Sequence, residues 1–198
     1  GSCEFSNNLQ VVNGSATDLL FSGNINMLTM KRNAGASIFI SRRNREMYDH
    51  NGDNFSEMPE MKNNSFGATM FYRPTQNQKI ELSLSSLYEF RYGGEITDKP
   101  AYLAQQSEER THNVLMGGVD YQLNFNGDNS SFIVYFAGQN TGRKHYTGIL
   151  PDLQPDLGLH VSDPPYGTTS NITLQAGTQL NHRLSQFPGV SNVLTVGA

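Results

Sequence analysis

The chain has one cysteine, no tryptophan and no long hydrophobic run, and each shortage removes a class of protein. Cys3 alone permits neither an internal disulfide nor a cysteine-based zinc site. No window approaches the roughly 18 continuous apolar residues that a membrane-spanning helix needs. Charge is sparse at 16%, and the net value of −4 comes with scattered Lys and Arg, so nucleic acid is not an expected partner. The cluster Arg42, Arg43 and Arg45 is local. Only 36% of the 198 residues are hydrophobic, a lean supply for a buried core. The chain also lacks a G-x-S-x-G elbow, a phosphate-binding Walker loop and a dinucleotide glycine fingerprint. Its histidines, His50, His112, His145, His160 and His182, show no metal-ligand spacing. The residues do not point to an enzyme, and no cofactor is required.

What is present is aromatic and alternating. With 11 Phe and 9 Tyr in regular apolar patterns, the chain is expected to be ordered. From Lys79 to Tyr92, Ile80, Leu82, Leu84, Tyr88, Phe90 and Tyr92 share one parity, and Lys79, Glu81, Ser83, Ser85, Glu89 and Arg91 share the other. Period two over this length is a strand. The pattern returns at 113–125 and 171–181, and more weakly at 19–31, 35–48, 62–73, 131–146 and 191–198. The expectation is an all-β, antiparallel up-and-down meander of about eight long strands occupying residues 19–198, with 1–18 a tag remnant and flexible lead-in.

Several runs exceed the roughly 9 to 11 residues that a tilted strand needs to cross a bilayer. Tight turns are expected near 32–34, 74–78, 126–130 and 184–190, and long loops at 49–61, 93–110 and 147–167. One tight end and one elaborate end, with apolar and polar faces, describe a transmembrane β-barrel. A soluble extracellular β-sandwich alternates in the same way with its apolar side inward, and periodicity does not separate the two. A complete eight-stranded outer-membrane barrel is a third reading.

Two groups in the loops are candidate sites. In "YDHNGDNFSEMPE", Asp49, Asn51, Asp53, Glu57 and Glu60 fall on positions 1, 3, 5, 9 and 12 of an EF-hand-like calcium loop, with Asn54 where a glycine normally turns the chain. The flanks read as strands rather than helices, and the competing reading is a turn of Asx and glycine residues that solvates a loop tip. In the later loops, Tyr102, His145, Tyr146, His160 and Tyr166 are candidates to stack on or hydrogen-bond a ligand. The alternative is self-packing of those loops around Pro100, Pro151, Pro155, Pro164 and Pro165.

The ordered motifs "YDHNGD", "FSEMP", "FYRPT" and "YEFRYGG", continued by "VLMGGVDYQLNF" and "SFIVYFAGQNTGRKHYTG", resemble the early barrel of TonB-dependent outer-membrane receptors of the Bacteroidetes type. The resemblance implies a bacterial outer-membrane location and a barrel of roughly 22 strands around a plug. It implies a nutrient ligand of the siderophore, cobalamin or glycan class, with a plug domain and TonB as partners of the full-length protein. No plug or TonB box is recognisable in these residues, so the expectation is a barrel fragment in contact with outer-membrane lipid. Its two cut edges would pair with something, a second copy included.

Overall fold

A computed structural model describes residues 1–152, 156–184 and 192–198. Alternating side chains make strands, and nine of them form a single antiparallel sheet in strict chain order. They are β1 (Ser2–Val12), β2 (Ala16–Leu28), β3 (Ala34–Arg45), β4 (Glu60–Tyr72), β5 (Gln78–Gly94), β6 (Gln106–Phe125), β7 (Ser130–Ile149), β8 (Gly167–Leu184) and β9 (Asn192–Gly197). Strands β5 to β8 run 17 to 20 residues, against about 5 or 6 in an ordinary globular sheet. A 3-10 turn (Ala101–Leu103) and the short helix α1 (Asp156–Ser162) sit in connections at one end.

The expected meander is present with one strand more than counted. Residues 1–18 are not a flexible lead-in: β1 pairs with β2 from Ser2 opposite Asn26 to Val12 opposite Ala16. The reason lies in Asn13 and Gly14, whose φ values of 49° and 74° give the left-handed two-residue turn that suits a hairpin's twist. Ser15 N donates to Val12 O across that turn. Cys3 is therefore an exposed strand residue.

The connections alternate as expected, except that the β1–β2 turn is short at the elaborate end. Short turns at 29–33, 73–77 and 126–129 mark the other end. The long connections are 46–59, 95–105 and 150–166; the last two are trimmed relative to expectation because β5, β6 and β7 run further toward the loops, and the first is shifted because β3 ends and β4 begins earlier than expected. The expected turn at 184–190 lies, beyond Leu184, outside the described residues.

Register turns the alternation into two faces. Reading across β4 to β8, rows align Tyr72, Ile80, Tyr121 and Val134; then Met70, Leu82, Val119, Phe136 and Ala176; then Ala68, Leu84, Gly117, Gly138 and Leu174. Phe66, Ser86, Leu115, Asn140 and Ile172 lie one row above, and Leu123, Phe132 and Leu180 one row below. Five rows at about 3.4 Å per residue cover roughly 27 Å along the strands, or about 20 Å of height at a barrel-like tilt near 40°. The opposite face is small and polar, as in the row Ser37, Thr69, Ser83, Gly118, Ala137 and Gln175.

No second layer covers the apolar rows among the described residues, which removes the sandwich. Leu82 is 45% exposed and Leu174 67%. A compact monomer of 22.0 kDa would expose roughly 9,300 Å², whereas this sheet exposes 13281 Å². β1 and β9 are not paired with each other, so the nine strands are not a closed small barrel either.

Aromatic rings lie over glycines directly across the ladder: Phe39 over Gly67, Phe71 over Gly35, and Tyr135 over Gly177. The missing Cβ lets each ring lie flat, a device that pins register. Gly94 differs because its φ of +113° and the backbone of Gln106 and Ser107 leave no place for a side chain. Gly94→Ala should cost about 2–3 kcal/mol, read as a lower urea midpoint at unchanged slope in micelles. Gly67→Ala should cost clearly less, because the Phe39 ring can swing away; equal losses would contradict this account.

Candidate functional site

The acidic loop between β3 and β4 is closed by its own backbone. Asp49 accepts from Gly52 N at 2.7 Å and Asn54 N at 2.8 Å. Asp53 accepts from Phe55 N at 2.8 Å, Asn51 Oδ1 from Asp53 N at 3.0 Å, and Glu57 from His50 N at 2.6 Å. Gly52 and Asn54 supply the left-handed residues, with φ of 79° and 69°. Asp49, Asp53 and Glu57 each offer a carboxylate oxygen within 4.8 Å of the others, a grouping able to hold a hard cation. Those same carboxylates already satisfy the loop's amides. Glu60 stands apart as the first residue of β4, its Oε1 2.6 Å from Lys62 Nζ. Burial pushes the Asp49 carboxyl up, but the amides of Gly52, Asn54, Asn51 and Asp53 outweigh it and hold it below its ordinary value.

The candidate ligand residues separate onto two faces. Tyr102, Tyr146, His160 and Tyr166 come together with ring centroids 5.4 to 6.4 Å apart. Tyr146 is 0% exposed and sits with Tyr92 and Ala101 in a buried cluster, whereas Tyr102, His160 and Tyr166 are half-buried. His160 Nε2 lies 2.7 Å from Tyr102 O and 3.3 Å from Tyr146 Oη, so α1 is tied to the strand below it. Burial and then the Glu109 carboxylate push the Tyr166 hydroxyl well above its ordinary value. Lys144 Nζ lies 4.0 Å from the Tyr166 ring centroid. This is loop self-packing, above the apolar rows and on their side of the sheet.

His145, one residue along, has the opposite parity and faces the polar side. There the long-loop end holds a cleft of about 910 Å³, lined by residues that include Phe55, Pro59, Arg91, Gln106, Arg110 and Thr147. The acidic loop forms its rim through Asp53, Phe55, Ser56 and Pro59, and Arg45 Nε donates to Pro59 O at 3.0 Å. Its charged lining is Arg91 and Arg110 with Asp53 and Glu108; Arg91 stands directly opposite Arg110, and Arg110 directly opposite His145, which lies outside the lining. Like charges facing across a ladder destabilise it by up to about 1 kcal/mol. Partial relief comes from Glu108 Oε1, 2.6 Å from Arg110 Nη2, and Glu89 Oε1, 3.6 Å from Arg91 Nε.

Neither a protein-family model nor a curated protein sequence matches the chain. Among solved structures, the chain is similar to the siderophore receptor PirA from Acinetobacter baumannii, with a TM-score of 0.66 at 14% identity. The match covers 98% of this chain and 29% of that receptor, so the chain spans less than a third of its length. The chain has the fold of one segment of that receptor.

Sequence reasoning picked His145 but passed over Arg91 and Arg110. Each is an unremarkable arginine within its strand, and only register makes them neighbours. For the loop, the depressed Asp49 acidity sets a sign: its contribution is complete above the ordinary Asp value of about 3.9 and fades as pH falls through the lower folded value. Amide exchange at Gly52 and Asn54 should stay slow to below that value and then quicken. Asp49→Ala should quicken both amides at neutral pH by at least about tenfold, and unchanged rates would show that the carboxylate does not hold the loop.

Proposed function

We propose that the chain is part of the barrel wall of a TonB-dependent receptor that takes up a nutrient across the bacterial outer membrane. The observation that carries the reading is the uncovered apolar band of Leu82, Leu84, Phe136 and Leu174, backed by a small polar face on the same strands. Ser, Thr, Asn and Gln dominate the reverse side, as suits a water-filled or plugged lumen. The partners are then outer-membrane lipid outside, and a plug domain and nutrient ligand inside, with TonB supplying the drive in the full-length protein. The role is binding and passage rather than catalysis, and the nutrient falls in the siderophore, cobalamin or glycan class.

The edges fit the same reading. β1 pairs only with β2, and β9 covers only Gln179–Leu184 of β8, leaving backbone donors and acceptors for further barrel strands. The 198 residues alone should therefore associate edge to edge; a stable monomer in plain buffer, seen by light scattering and crosslinking, would contradict this. The face assignment has its own test. In lipid vesicles, Leu82→Arg should destabilise the full-length protein by about 2–4 kcal/mol, the cost of a cation near the bilayer midplane, while Ser83→Arg should change it by less than about 1 kcal/mol. Equal effects at the two neighbours would defeat the membrane assignment.

A further inference from the structure

We infer that the apolar face of the wall holds a site for the headgroup of a phosphorylated glycolipid. The inference rests on the receptor reading, which puts this face in the membrane and its long-loop end in the outer leaflet, and it adds a lipid partner of stated chemistry. The apolar band is interrupted at that end. Two of the five residues in its uppermost row are polar, Ser86 and Asn140, and the next row toward the loops runs Arg42, Asn64, Tyr88, Asn113, Gly142 and Ser170. Small Ser86 and Gly142 stand among larger neighbours, and a hollow of about 570 Å³ opens there, edged by Phe66, Tyr88 and Leu115.

The polar groups of the hollow lack partners within the chain. On the opposite face, such side chains pair along their own strands: Ser65 with Asn63, Gln122 with Asn124, Gln139 with Thr141 and Gln179 with Asn181. Asn64, Ser86, Tyr88, Asn113, Asn140 and Ser170 make no side-chain hydrogen bond among the described residues. Acyl chains offer them none. Sugar hydroxyls and amides both donate and accept, as the side chains of Asn, Ser and Tyr require. The lining itself is uncharged, and cations stand around it. Arg42 ends the row on one side, while Lys62 and Lys144 belong to the next row toward the loops, about 7 Å further along the strands. Neither row contains a carboxylate. Glu60 and Glu109 lie one row beyond, where Glu60 takes Lys62 and Glu109 sits by the Tyr166 hydroxyl. Arg42 and Lys144 have no carboxylate in salt-bridge range among the described residues. A neutral, hydrogen-bonding hollow below these cations fits a sugar that carries phosphate. It fits a plain phospholipid poorly, for want of amides, and a soluble sugar poorly, because exposed Leu115 and Ile172 beside it call for acyl chains.

The test uses the full-length protein in detergent micelles and counts bound lipid by native mass spectrometry. The probes are an acylated glucosamine disaccharide bearing two phosphates, phosphatidylglycerol as an anionic lipid without sugar, and glucosamine 6-phosphate as a headgroup without chains. The glycolipid should bind at least about tenfold more tightly than either of the others. The N113L/N140L double variant, which makes the hollow apolar, should weaken the glycolipid at least about tenfold and leave phosphatidylglycerol unchanged. R42Q/K144Q should weaken both lipids, and Thr173→Ala, on the opposite face, should weaken neither. The inference is overturned by phosphatidylglycerol matching the glycolipid, by glucosamine 6-phosphate matching it, or by unchanged glycolipid binding in N113L/N140L. A protein that copurifies on the unaltered wall and is lost from N113L/N140L, with no glycolipid bound to either, marks a protein contact and overturns it too. Insertion into phosphatidylcholine vesicles separates the two readings: insertion without glycolipid binding sinks only this inference, and failure to insert sinks the receptor reading together with it.

Discussion

The ladder of backbone hydrogen bonds between neighbouring strands is the constraint on which everything else depends. Each strand alternates its side chains, but alternation becomes a surface only when register aligns equal parities across nine strands. Here Met70, Leu82, Val119, Phe136 and Ala176 fall in one row, so the apolar residues of separate hairpins merge into a band. A one-residue slip of β5 against its neighbours would put Lys79 and Glu81 in the apolar rows. Rings seated over glycines, Phe39 on Gly67 and Tyr135 on Gly177, favour this register because each ring lies flat on the ladder only where the facing residue has no Cβ, and elsewhere must swing away.

That arrangement explains a composition that would starve an ordinary domain. A protein that buries its core needs apolar residues to meet from two layers, whereas this sheet has one layer and leaves its large hydrophobics exposed. What true core exists is small and lies at the loop end, where Tyr92, Ala101 and Tyr146 are enclosed by the long connections. The loops thus spend their aromatic residues on anchoring themselves. His160 ties α1 to the wall, and Lys144 lies over Tyr166.

The same strands carry different chemistry on their other side. Tyr146 and His145 are adjacent in sequence, yet one is sealed in the aromatic cluster and the other joins Arg110 and Arg91 on the polar face. The acidic loop connects these regions: amide contacts to Asp49, Asp53 and Glu57 give it shape, and that shape brings Phe55 and Pro59 to the cleft that Arg91 and Arg110 also line. Its carboxylates close the local backbone and also converge within 4.8 Å of one another.

Much of the architecture was legible because strand parity is a local property. The alternation at 79–92, the tight turns, and the long connections follow from short-range sterics and turn chemistry, and so does the all-β meander. The Asn13–Gly14 turn was not legible, and residues 1–18 read as a lead-in, because its flanks alternate too weakly to make β1 conspicuous. Parity alone, however, does not say which side of a sheet is covered, nor which residues of different strands meet. Arg91 and Arg110 are 19 positions apart in the sequence and become partners only through the β5–β6 register. Tyr102, Tyr146, His160 and Tyr166 are far apart in sequence and meet in one cluster, in which Tyr146 alone is fully enclosed. The sequence by itself determined two chemically opposite faces along each strand; the tertiary structure decided which charges oppose one another and which aromatics are hidden, because those depend on pairing between distant segments.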